Sequence, residues 1–212
     1  MLYTSTVEES TLRLLTNLCG EERLKAFNLV GGTALSLQLG HRKSIDLDLF
    51  STEGFDAEEM RSYLTSTYGF KTLFHGRNSL TGEIDGVKID IITYPYVLLD
   101  DVIVEHDIRL CSCRDIAAMK LSAITQNGTR LKDFVDVAYL STVMSFEVML
   151  EAYETKYAGS NRLSPMKAIT YFDDIDFSQS IVMADGSLNW RAIANRLTEM
   201  TEKPDRIFGR EP

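Results

Sequence analysis

The run Ile45-Asp46-Leu47-Asp48-Leu49 alternates aliphatic and acidic residues without a break, and that pattern constrains the chain more than any other. In a β-strand successive side chains point to opposite faces, so the aliphatic residues line one face and both carboxylates the other. Such a strand belongs in a sheet with one face packed and the other open. Two like charges side by side on the open face need a cation.

Just upstream, Phe27-Asn28-Leu29-Val30 reads as a short strand entering Gly31-Gly32-Thr33. This predicts a strand-to-helix turn whose free backbone N–H groups hold an anion. Thr33 to Leu39 follows as a short helix, Gly40 as its left-handed cap, and His41-Arg42-Lys43-Ser44 as the loop before the acidic strand. A glycine-hydroxyl turn one short helix away from paired carboxylates indicates phosphate and metal chemistry.

The flanking pattern is mixed up to about residue 110 and helical beyond it. Residues 7–25 carry Val7, Leu12, Leu15 and Leu18 at helical spacing, and a second helix is expected from Asp56 to Tyr68. Strands are expected at Phe70 to His75, Ser79 to Ile84 and Val87 to Thr93, with Asp85-Gly86 forming a tight hairpin between the last two. In the last of these Asp90 faces away from Val87, Ile89 and Ile91, which makes it a candidate third carboxylate. Pro95 closes that strand, and Tyr96 to Val104 is expected to lead out of the sheet. Helices then follow at Arg114 to Gln126, stopped by Asn127-Gly128, at Leu131 to Met144, at 146–158, at 165–172 and from Asn189 to Met200. The expected class is α+β: a core with a mixed sheet over 1–110 and a helical region over 111–212.

Composition narrows the functional classes. With 212 residues, 44% hydrophobic and 25% charged, the chain is of an ordinary globular kind. A net charge of −9 argues against broad binding along a phosphate backbone, although it leaves room for a local basic groove. Three cysteines, Cys19, Cys111 and Cys113, are too few for a disulfide scaffold and fit a reducing cytoplasm, and Cys111-Ser-Cys113 lacks the partners of a zinc site. The amino terminus has no basic region and long apolar stretch of the secretory kind. No apolar run approaches the roughly 20 residues that cross a bilayer, so no membrane role is expected.

Three carboxylates from two strands suit a two-cation site for phosphoryl or nucleotidyl transfer. Hard oxygen ligands favour Mg2+ or Mn2+. Asp46 and Asp48 are expected to hold metal, while Asp90 completes the site or accepts a proton from the attacking hydroxyl. Gly31, Gly32 and Thr33 would hold the distal phosphates of a nucleoside triphosphate. Arg42 and Lys43 lie where a basic loop would touch phosphate or an RNA acceptor, with simple surface ion pairing as the plain alternative.

Gly-Gly-Thr-Ala-Leu followed by Leu-Gly-His-Arg-x-Ser-x-Asp-x-Asp-Leu-Phe-Ser resembles the AbiEii/AbiGii toxin family of nucleotidyltransferases, within the DNA polymerase β-like superfamily. The resemblance extends through Arg114-Asp115-Ile-Ala-Ala-Met-Lys120-Leu-Ser-Ala-Ile and Arg130-Leu-Lys132-Asp133-Phe-Val-Asp136, over roughly residues 25–145. It implies a nucleotidyltransferase fold, with Gly32, Thr33, Asp46 and Asp48 at the metal and triphosphate site. It also brings Asp115, Lys120, Lys132, Asp133 and Asp136 to that site. Threonine stands where the wider superfamily usually has serine, and it keeps the hydroxyl.

Physically, Lys120 or Lys132 would supply positive charge to the leaving pyrophosphate, and Asp133 and Asp136 share a helical face from which to orient Lys132 or Arg130. The implied roles are a toxin of a type IV toxin–antitoxin or phage-defence system, with a cognate antitoxin as partner and tRNA as acceptor. The alternatives are a small-molecule nucleotidyltransferase of the antibiotic-modifying type and a nucleotide- or partner-binding protein of the same fold without turnover. His75 and His106 receive no role.

Overall fold

The computed structural model describes residues 1–209 and 212, leaving Arg210 and Glu211 of the expected helical region outside the described residues. Seven strands form one mixed sheet in the order β3-β4-β5-β2-β1-β7-β6. Their ranges are β1 Asn28–Val30, β2 Leu47–Ser51, β3 Lys71–Gly76, β4 Ser79–Ile84, β5 Val87–Thr93, β6 Ile103–Glu105 and β7 Ile108–Leu110. β1 runs antiparallel to β2, and β2 runs parallel to β5. The helices are α1 Glu9–Gly20, α2 Gly31–Leu39, α3 Ala57–Tyr68, α4 Cys113–Gln126, α5 Leu131–Leu140, α6 Phe146–Lys156, α7 Leu163–Ala168 and α8 Trp190–Glu202.

Local chemistry accounts for most boundaries. Gly40 ends α2 at φ 73°, donating its N–H to Ser36 O at 2.8 Å. Asp56 caps α3 rather than opening it, because its Oδ1 accepts from Glu58 N and Glu59 N at 3.0 and 2.9 Å. Asp85 and Gly86 adopt φ 50° and 81° in the β4–β5 turn, as expected. α5 stops at Leu140, short of the expected Met144, because Thr142 N and Val143 N turn to Tyr139 O and Leu140 O in tighter bonds. α7 begins at Leu163, two residues before Pro165, where a helix tolerates proline, and ends at Ala168.

The segment after Pro95 departs from expectation. Instead of simply leading out of the sheet, it carries the β6–β7 hairpin, and β7 joins β1 in parallel at Leu29↔Leu110. The turn is made by His106 and Asp107, non-glycine residues at φ 52° and 62°. Strands of three residues show no readable alternation, and this turn has no glycine to mark it.

One apolar cluster joins sheet and helices. Leu29, Leu47, Leu49, Ile89, Ile91 and Leu110 from the sheet are buried together with Leu35, Ile116, Leu121, Phe134 and Phe146 from the helices. Each such side chain contributes about 1.5–3 kcal/mol relative to exposure. Along β2 the two faces separate as the alternation predicts, with Leu47 and Leu49 buried and Asp48 and Phe50 half-buried.

Candidate active site

The parallel register of β2 and β5 sets Asp48 directly opposite Asp90. Burial first, then the charges of Asp90 and Asp46, push the Asp48 carboxyl up to about 6, while Lys120 and Lys88 pull it down. Asp90 is held on two sides, by Thr81 Oγ1 donating to Oδ1 at 2.5 Å and by Lys88 Nζ donating to Oδ2 at 2.8 Å. Asp46 lies one residue before β2 rather than within it. Its carbonyl oxygen accepts a hydrogen bond from the Thr33 hydroxyl, which also bonds Ser44 Oγ at 2.9 Å. Thr33 is thus a buried strut between α2 and the loop entering β2, with its hydroxyl already engaged.

Gly31 is the hinge of the turn. It sits at φ 67°, and an added Cβ would lie 2.3 Å from Asp48 Oδ2. The turn therefore packs directly onto the carboxylate, and Val30 before it supplies no side-chain acceptor for the first-turn N–H groups of α2. Gly31→Ala is expected to cost about 1–2 kcal/mol from the left-handed backbone alone. It should also lower turnover roughly a hundredfold, since small displacements of a reacting group have effects of that size. Thermal melts and pyrophosphate release on the same sample check both, and unchanged turnover would remove the turn from the site.

Behind the turn lies a closed ionic network. An added Cβ at Gly32 would meet Arg42 Nη2 at 2.4 Å, so the guanidinium lies against the turn. Arg42 grips Asp136 through Nε at 2.6 Å and Nη2 at 2.9 Å. Lys120 Nζ stands 2.6 Å from Asp133 Oδ1 and 2.7 Å from Asp136 Oδ2. His41 Nε2 is 2.9 Å from Asp136 Oδ1, and burial foremost lowers its pKa, which makes it a neutral ring whose Nε2–H donates to that carboxylate. Burial alone would raise the Asp136 carboxyl, but Arg42 and Lys120 hold it well below the usual carboxylate range. Two buried cations thus face two buried carboxylates, and at the rim the exposed Arg130, an expected partner of Asp133, places its Nε 3.8 Å from Asp133 Oδ2.

The remaining expected site residues lie apart from the carboxylate group. Lys43 is exposed, with its ammonium on Ser5 O. Lys132 precedes Asp133 in α5 but is not among the partners of the network, where Lys120 takes the place expected for it. Asp115 accepts from Ser112 Oγ at 2.8 Å and Leu99 N at 3.0 Å, and pairs with Lys156 Nζ at 2.7 Å. Lys156 also donates to Val97 O at 2.7 Å. This buried pair pins the segment after β5, where Tyr94 meets Phe50 and Tyr96 at ring centroid distances of 5.3 and 4.7 Å. Phe50 is two residues beyond Asp48 on the same face of β2, so an aromatic wall adjoins the carboxylates.

Sequence reasoning missed Thr81, Lys88 and Lys156. Only Lys88 left a local sign, two residues before Asp90 on the same strand face. Among the described residues no group of three or more His, Cys, Asp or Glu is arranged to hold a metal by itself. All three cysteines are free thiols, and burial pushes Cys111 up to about 12 and Cys113 to about 11.

Known proteins share the family pattern and the fold of this chain. A family model described as "Nucleotidyl transferase AbiEii toxin, Type IV TA system" matches residues 13–101 and 82–209. An uncharacterized protein of Aquifex aeolicus (strain VF5) is 30% identical over 154 residues, covering 70% of this chain and 74% of the relative. JHP933 from Helicobacter pylori has a similar fold at TM-score 0.60 and 17% identity, covering 94% of this chain and 93% of that one. A second H. pylori structure, described as a candidate nucleotidyltransferase, gives TM-score 0.59 at 16% identity over 93% and 96% of the two chains.

Proposed function

Because the chain belongs to the AbiEii family and is thereby a nucleotidyltransferase, we propose that it moves a nucleoside monophosphate from a nucleoside triphosphate onto an acceptor hydroxyl of tRNA, using Mg2+ or Mn2+. The observation that carries this reading is the Asp48–Asp90 pair beside the Gly31 turn. A carboxyl raised by burial and by its neighbours' charges is a group that gains from a bound cation. Magnesium commonly takes one or two carboxylates and completes its shell with phosphate oxygens and water, which fits this donor set.

In the proposed reaction the acceptor oxygen bonds to the α-phosphorus, the bond to the pyrophosphate oxygen breaks, and the hydroxyl proton passes to Asp90. Asp48 and Asp90 would hold the metal, which would supply charge neutralisation to the attacking and leaving oxygens. Asp46, the expected third ligand, does not form a three-carboxylate cluster with them among the described residues. Gly31, Gly32 and the first-turn N–H groups of α2 hold the distal phosphates. Arg42 and Lys120 are matched by Asp133 and Asp136, so they position the turn rather than deliver net charge to pyrophosphate.

The reading assigns the chemistry to residues 1–110 and acceptor contacts to 111–212. It extends to a toxin role in phage defence, held in check by a cognate antitoxin in the cytoplasm. Among the described residues no helix is long and apolar enough to cross a membrane.

The test is incubation with each α-labelled nucleoside triphosphate, Mg2+ and total RNA. Label on the tRNA band with matching pyrophosphate release, abolished by chelator, is the expected result. Release without labelled RNA would point to a small-molecule acceptor. Nucleotide binding without release would overturn the catalytic reading.

A further inference from the structure

Four charged positions meet at the β2–β5 junction. Asp48 is opposite Asp90 and Leu47 is opposite Ile89, so Asp46 and Lys88 are the next positions outward on the two chains. Lys88 places its ammonium 2.8 Å from Asp90 Oδ2, while its side chain stays 47% exposed. Its hydrogen bond to Asp90 foremost, then the charges of Asp90, Asp46 and Asp48, raise its pKa. Arg42 and Lys120, by contrast, are buried and committed to Asp133 and Asp136. Lys88 has the long flexible arm and the solvent access to move.

We propose that Lys88 is a tethered counter-ion: its ammonium holds Asp90 beside Asp48 in the nucleotide-free protein and gives way to the divalent cation that arrives with the triphosphate. This rests on the reading of Asp48 and Asp90 as cation ligands. Three carboxylates against one ammonium leave a local surplus of negative charge, which favours a dication. The dication and the ammonium would compete for the Asp90 carboxylate, whose Oδ2 the ammonium holds in this structure. Thr81 keeps Oδ1 when the ammonium leaves, so the carboxylate stays oriented with Oδ2 free.

A dication arriving alone must expel the ammonium into water. One arriving with a triphosphate brings new anionic partners for it. Lys88 therefore couples cation binding to nucleotide binding, as a positioning residue acting through Asp90.

The experiment is calorimetric titration of the nucleotide-free protein with Mn2+, for wild type, Lys88→Met, Lys88→Arg and Asp48→Asn. Lys88→Met is expected to bind Mn2+ about tenfold more tightly than wild type, the effect of removing one charge near a dication in a largely aqueous dielectric. Lys88→Arg should stay near wild type. With a non-hydrolysable triphosphate present, the gain in Lys88→Met should vanish. Affinity that depends on Asp48 but is equal in wild type and Lys88→Met would overturn the role of Lys88 alone. Affinity that is equal in wild type and Asp48→Asn would overturn the metal site beneath it.

Discussion

Asp48→Asn is expected to abolish nucleotide transfer and, at the same time, to make the metal-free protein more stable at neutral pH. The loss should be at least a thousandfold, since an amide cannot replace a carboxylate as a hard, charged ligand for the cation that the proposed mechanism requires. The gain in stability follows from the raised carboxyl, which burial foremost, with Asp90 and Asp46, moves from 3.8 to about 6.

A carboxyl whose pKa is raised by folding prefers its proton in the folded state. Its ionisation costs nothing below about pH 4, begins to destabilise as pH rises toward 6, and exerts its full penalty above that. A shift of two units corresponds to about 3 kcal/mol, or a rise in Tm of roughly 6–12 °C for a chain of this size. Melting curves in chelator between pH 4 and 8 should therefore converge at the acid end, separate between pH 4 and 6, and stay a constant distance apart above pH 6. A constant Tm difference across that range would overturn the electrostatic account, and wild-type turnover in Asp48→Asn would overturn the mechanism.

The second large effect is expected at Asp136. Its side chain is fully buried, and it takes charge-assisted bonds from Arg42, Lys120 and His41. Asp136→Ala leaves two buried cations with Asp133 alone. Breaking a buried pair in this way costs about 3–5 kcal/mol, or roughly 6–20 °C in Tm. Lys120→Met combined with Asp136→Asn should be less destabilised than the sum of the single variants, because one cation and one anion leave together. Additive losses in that cycle, or Asp136→Ala melting within a few degrees of wild type, would show that the network does not act as a unit.

What could be read from the sequence was what is local. The alternation at Leu47–Leu49, the cap at Gly40, the turn at Asp85-Gly86 and the opposed faces of Asp90 and Ile89 each follow from a period or from a backbone angle. What escaped was set by distance in space. Thr33 looked like a free hydroxyl for phosphate, yet its partners are Ser44 and Asp46. Asp115 looked like a nucleotide contact, yet its counter-charge is Lys156, 41 residues away. Lys120 looked like an available cation, and only the approach of α4 to α5 shows that Asp133 and Asp136 already hold it. Ion pairs across helices leave no periodicity, so no inspection of spacing assigns partners among so many charged residues.

Arg42 gives the molecule an order of assembly in time. The guanidinium that lies against the Gly32 turn is clasped by a carboxylate 94 residues further along the chain. A polypeptide emerging amino end first exposes all three acidic residues of the site before the clasp exists. Through that interval the turn has its glycines but not the Asp136 clasp behind them. The lock on the turn is thus made by a late segment of the chain, and it closes only when α5 brings Asp136 against Arg42.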